Sequence, residues 1–137
     1  MTLAVLAPCL SRAPFADDSF PLSTYPMFAR VLEKRVIVFA DGVTAEADSK
    51  RLPPELVAND EPMQAQRTLR LAATSGRKAL RTLCGRIAER VAQKADLGAV
   101  SRVRIVQGVF DPVKYFEGGG APESREVLIE CRVRRRQ

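Results

Sequence analysis

The sequence predicts an α+β fold: about four antiparallel strands in ββαββ order, with a long or broken helix packed on one face of the sheet. Three observations carry this expectation. An Asp-Gly pair separates two β-forming runs near residue 40. Apolar or small residues recur every three or four positions from Ala65 to Val91. Two runs near the C-terminus alternate apolar and polar residues with period two.

The elements follow in order. Residues 1–24 hold three prolines and little periodicity, and read as an N-terminal arm of a single domain spanning residues 1–137. Thr24 can cap a short helical piece from Pro26 to Leu32, although an extended path fits as well. Val36 to Ala40 is rich in β-formers. Asp41-Gly42 then supplies the residues a type I′ turn requires, and Val43 to Ala47 forms the returning strand. Lys50 to Asn59 reads as a loop, because Pro53 and Pro54 are adjacent. Asn59-Asp60-Glu61-Pro62 is a helix start, with a capping side chain, an acid in the first turn and an early proline.

The helical phase runs through Ala65, Leu69, Ala72, Gly76, Leu80, Leu83, Ile87 and Val91. A straight helix from 61 to 95 would be about 50 Å long at 1.5 Å per residue, wider than such a domain. A break or kink near Gly76 resolves this. Arg102 to Phe110 and Glu126 to Arg134 then form two half-buried strands. Val127, Ile129, Cys131 and Val133 mark one side of the second, and Asp111 to Arg125 is a long loop between them.

Composition narrows the function classes. The 137 residues are 46% hydrophobic and 28% charged, which suits one globular domain rather than a disordered chain. The net charge of +6 permits nucleic acid, anionic lipid or an acidic protein as partner and demands none. No stretch approaches the roughly 20 apolar residues that span a bilayer. Cys9, Cys84 and Cys131 form no CxxC pair and read as reduced thiols, Cys84 and Cys131 in the core, in a cytoplasmic protein. No histidine is present, which removes the commonest general base and most zinc sites. The expectation is therefore a non-enzyme without metal or cofactor. Gly118-Gly119-Gly120 precedes a strand rather than a helix, so it reads as a flexible loop rather than a phosphate cradle.

Two groups of residues stand out as candidate contacts. Arg102, Arg104, Arg132 and Arg134 share the polar face of the last two strands and are candidates for anion binding. A matched register sets Arg102 opposite Arg134 and Arg104 opposite Arg132. Phe110 is the one aromatic in the outward phase of these strands, which makes nucleic acid the less expected partner. The second group is Phe20, Leu22, Tyr25, Met27 and Phe28. Pro21 and Pro26 hold this segment extended before folding, so it presents apolar area at low entropic cost. It either closes the domain's own core or meets another protein.

The string Pro21-Leu22-Ser23-Thr24-Tyr25-Pro26-Met27-Phe28 resembles a PLSxYPMF-type pattern in small uncharacterised bacterial proteins. Some of these are associated with horizontally transferred transmembrane proteins, the group similar to vitamin K-dependent carboxylases. The resemblance covers about nine residues, contains no catalytic residue, and implies a soluble accessory beside a membrane-associated partner. The reading as a whole is a small soluble bacterial accessory or protein-interaction domain. The alternative is an anion or nucleic-acid binder using the arginine-rich sheet face. An edge strand or the helix offers a route to homo-oligomers.

Overall fold

The computed structural model describes residues 34–135. The expectations placed on residues 1–24, on Phe20–Phe28 and on Pro26–Leu32 lie outside the described residues. Four strands, β1 (Arg35–Thr44), β2 (Ser49–Arg51), β3 (Val100–Phe110) and β4 (Ser124–Arg132), form one sheet in the order β2-β1-β3-β4. All neighbours are antiparallel, as expected. The helices are α1 (Pro54–Val57), α2 (Pro62–Ser75), α3 (Arg77–Gln93) and α4 (Pro112–Glu117).

The helical phase read from the sequence is the core face. Ala65, Leu69, Ala72, Leu80, Leu83, Ile87 and Val91 are all buried, and they pack with Val38, Ala40, Val103 and Ile105 of the sheet. Burying each large side chain contributes about 1.5–3 kcal/mol. α2 begins at Pro62 as expected, but no side chain caps it and its first turn holds no acid; Asn59 Oδ1 instead accepts from Glu61 N at 3.2 Å just ahead of the helix. Gly76, at φ 101°, separates α2 from α3, so the expected break falls at the residue best able to adopt that angle.

Five expectations about strands, loops and cysteines are corrected. The first hairpin does not turn at Asp41-Gly42, because β1 continues through both residues to Thr44. The turn lies over Thr44–Asp48, where Thr44 N donates to Asp48 O and Ala47 N to Thr44 O. Ala47 takes the left-handed angle there, at φ 69°. Gly42 serves packing instead: a Cβ on it would lie 3.0 Å from both Leu52 Cδ2 and Val100 Cγ1. Second, residues 50–59 are not all loop. Pro54 occupies the first turn of α1, where its missing N–H costs nothing. Third, the segment after β3 contains α4, capped by Asp111, whose Oδ1 accepts from Val113 N and Lys114 N. Gly119 and Gly120, both at positive φ, end the turn that follows.

The fourth correction concerns β4. Its pairing with β3 shifts between Ile105 and Val106, where Leu128 is the extra residue of a bulge. Cys131 and Ile129 pack towards the helices, but Val127 pairs with Val106 on the opposite face and is half exposed. The strict alternation expected for this strand therefore reverses midway. In addition, Cys84 and Cys131 are not separate thiols but a disulfide joining α3 to β4, with Cα atoms 6.1 Å apart. Closing a loop of sequence separation 47 stabilises a fold by about 4 kcal/mol in the chain-entropy account.

The face of the sheet away from α2 and α3 holds a second, small apolar cluster of Phe39, Val106 and Phe110 with Ile37 beside it. Gly108 lies within it. A Cβ there would lie 2.9 Å from Phe110 Cε2 and 3.0 Å from Phe39 Cε1. Gly108→Ala should therefore cost about 1–3 kcal/mol through overpacking. The denaturant midpoint checks this, and an unchanged midpoint would show that the two rings move aside freely.

Candidate interaction surfaces

Asp41 sits near the middle of β1 on the face away from the helices and is only 4% exposed. A buried carboxylate without a partner is costly. Arg125 of β4 supplies the partner, its Nη2 bonded to Asp41 Oδ2. The same guanidinium stands 5.6 Å from the Phe39 ring centre, and that of Arg51 lies 4.0 Å from it. Phe39 is thus flanked by two cations, an arrangement that attracts through the ring quadrupole.

Of the four arginines singled out in the sequence, three come together on this face. The register differs from the expected one by two residues: Arg102 faces Arg132, and Arg104 faces Glu130. Arg134 lies beyond the end of β4. Glu130 binds Arg104 through Nε and Arg102 through Nη1, the latter at 3.2 Å. The Arg104 guanidinium holds the Glu130 carboxyl below the usual carboxylate range, and Arg102 adds to the effect. One carboxylate thus serves two of the guanidiniums, and Arg132 remains exposed beside them. The face is a mixed network rather than a bare cationic platform.

The end of the sheet where β1 begins and β3 finishes carries a row of aromatic rings. Phe110 meets Tyr115 edge-on at 5.8 Å, and Tyr115 meets Phe116 edge-on at 5.5 Å. Phe110 is buried, while Phe116 is 84% exposed and Val113 60%. Val113, Tyr115 and Phe116 belong to α4, whose position is fixed at both ends. Asp111 caps its start, and Gly118 N donates to Lys114 O at 2.7 Å at its close. Glu123 lies 2.6 Å from both Lys114 Nζ and Lys34 Nζ, which ties α4 to the approach to β4. The bond from Lys114, and then that from Lys34, lowers the pKa of Glu123, and the same pairing raises that of Lys114. This aromatic row was missed in the sequence because Tyr115 and Phe116 fall in a stretch too short to show helical period.

Among the described residues no cluster of three or more His, Cys, Asp or Glu could hold a metal ion, and no helix is long and apolar enough to cross a membrane.

The lowered Glu130 pKa fixes the sign of a pH effect. Its contribution to stability is present above the unfolded value near 4.5 and is lost as the pH falls through the folded one. Glu130→Gln should cost about 1 kcal/mol or less at pH 7, because the pair is partly exposed. The gap between the two proteins' urea midpoints should close as the pH drops below that range. A gap that persists under acid would mean that charge is not its origin. Compared with protein-family models, with curated proteins and with solved structures, the chain shows no match.

Proposed function

We propose that this chain is a non-enzymatic interaction domain that engages another protein through the aromatic end of its sheet. The observation that carries this reading is the row Phe110–Tyr115–Phe116, anchored at its buried end and exposed at the other. A large apolar ring in water at the tip of a capped helix is prepared to enter a pocket with little further loss of freedom. Aromatic anchors of this kind dominate the energetics of protein interfaces. The partner it suits presents an apolar pocket.

The non-enzymatic part of the reading rests on the side chains available. The chain has no histidine. The concavity between α2 and α3 is lined by Thr, Ser, Ala, Leu, Lys and Arg, without a carboxylate to accept a proton. The second concavity has one carboxylate, Glu55, which is engaged by Lys94 at 3.2 Å. An anion site on the sheet face is less favoured, because Asp41 and Glu130 already occupy Arg125, Arg102 and Arg104. The cytoplasmic placement expected from the sequence sits against the Cys84–Cys131 bond, since structural disulfides persist chiefly in oxidising compartments.

A photo-crosslinking residue, p-benzoylphenylalanine, in place of Phe116 in the full chain tests the proposal in cells. One discrete protein adduct is expected at position 116, and none when the same residue replaces Met63 of α2, which is also largely exposed. Once the partner is identified, Phe116→Ala should weaken its binding about thirty-fold, the equivalent of 2 kcal/mol for an interface anchor. No discrete adduct at 116, or the same adduct from both positions, would overturn the assignment.

A further inference from the structure

The chain's net charge is not on the sheet. Residues 62–93, which hold α2 and α3, carry seven Lys and Arg against the single acid Glu89, and the remaining 15 cations and 15 acids of the chain cancel. This segment alone therefore accounts for the whole +6. Arg90 is half-buried and donates to Leu56 O at 3.1 Å, so it is a structural group. The other six, Arg67, Arg70, Arg77, Lys78, Arg81 and Arg86, are all exposed. None of them has an ion-pair partner among the described residues. We propose that this helical layer binds the phosphodiester backbone of nucleic acid, independently of base sequence.

The surface has a shape as well as a charge. Between α2 and α3 lies an open groove of about 450 Å³. On α3, Lys78, Thr82 and Arg86 follow one another at i, i+4 and i+8 and line one wall. Thr68 and Ser75 of α2 line the other, and the small side chains of Ala72 and Ala79 keep the groove from filling. Thr68 and Thr82 donate their hydroxyls to Gln64 O and Lys78 O, so Lys78 and Arg86 are the charged donors this groove offers to phosphate oxygens, and no carboxylate in its lining opposes them. From Lys78 to Arg86 the helix rises about 12 Å, or roughly three to four base-pair steps at 3.4 Å each. Like charges one turn apart, as at Arg77 and Arg81, slightly destabilise a free helix. A bound polyanion reverses the sign of that term.

The same residues argue against an anionic membrane as the occupant. A helix that lies in a bilayer surface needs an apolar face turned to the lipid. Here the apolar stripe of both helices is spent on the core, and Met63 and Leu71 are the large hydrophobics left exposed on this layer. The sheet face, with its mixed charges, does not compete for the same ligand.

Fluorescence anisotropy of the full chain with a labelled 20-bp DNA duplex tests the proposal. If five cations reach phosphates, the logarithm of the affinity falls with that of salt at a slope of about −4.5, a loss of several hundred-fold between 50 and 200 mM. Lys78→Gln with Arg86→Gln should lessen that slope by about two and weaken binding roughly ten-fold or more at low salt. Arg102→Gln with Arg132→Gln should leave both unchanged. Circular dichroism of the exposed-site variants confirms that loss of binding is not loss of fold. No duplex binding at 50 mM salt, or an equal loss in the sheet-face variant, overturns the inference. So does tighter binding to phosphatidylserine vesicles or to polyglutamate-coated beads than to the duplex.

Discussion

The carboxylate of Asp41 is the constraint around which the sheet is arranged. It is almost wholly buried at mid-strand, and it lies on the face that α2 and α3 do not cover. A charge in that position must be neutralised or the strand cannot fold as it does. Its partner, Arg125, comes from the edge strand β4, on the far side of β3. Counting back from Cys131, which faces the helices, strict alternation would turn Arg125 to the helical side as well. The extra residue at Leu128 reverses the alternation and delivers Arg125 to the face where Asp41 is. The bulge is therefore the way one strand serves two demands, an apolar side chain for the core at Ile129 and a cation for the opposite face at Arg125.

The second demand on that face is aromatic. Phe39 and Phe110 meet at 6.2 Å over Gly108, where no side chain could stand. Arg51 and Arg125 then lie against Phe39. Ion pair, cation–π contact and aromatic pair thus share residues, so none of them is independent of the others. From Phe110 the row of rings continues through Tyr115 to Phe116. The exposed tip is held in place by the same cluster that closes the uncovered face of the sheet. An interface built on Phe116 inherits its rigidity from Asp41 and Arg125, which never touch it.

What the sequence revealed and what it hid follow from range. The helix start at Asn59–Pro62, the break at Gly76 and the buried stripe from Ala65 to Val91 depend on neighbours within a few residues, and were legible. The hairpin was misplaced because Asp41-Gly42 carries a turn signal for reasons unrelated to turning. Gly42 is small so that Leu52 and Val100 can approach, and Asp41 is charged so that Arg125, 84 residues away, can bind it. Nothing local distinguishes such a pair from a type I′ turn. The bulge and the Cys84–Cys131 bond likewise depend on partners on other elements. The register of Arg104 follows the same rule. Its placement opposite Glu130 rather than Arg132 is a shift of two residues in register, and it converts an expected repulsion into an ion pair.

The cations of α2 and α3 show the opposite case, a feature present in the sequence but masked by bulk composition. A charge of +6 over 137 residues is unremarked in a globular protein, whereas the same charge within 32 residues defines a surface. The fold then separates the two kinds of arginine. On the sheet, Arg102 and Arg104 are drawn into pairs because Glu130 stands opposite one and diagonal to the other on the adjacent strand, and Arg125 is paired with Asp41, while Arg132 stays exposed beside them. Those on the helices project from a layer in which Glu89 is the single acid, with the apolar core beneath, so among the described residues no neighbouring element supplies a counter-charge from below. Among the described residues none forms an ion pair with Arg67, Arg70, Arg77, Lys78, Arg81 or Arg86, and the groove between α2 and α3 leaves room beside Lys78 and Arg86 for an anionic group.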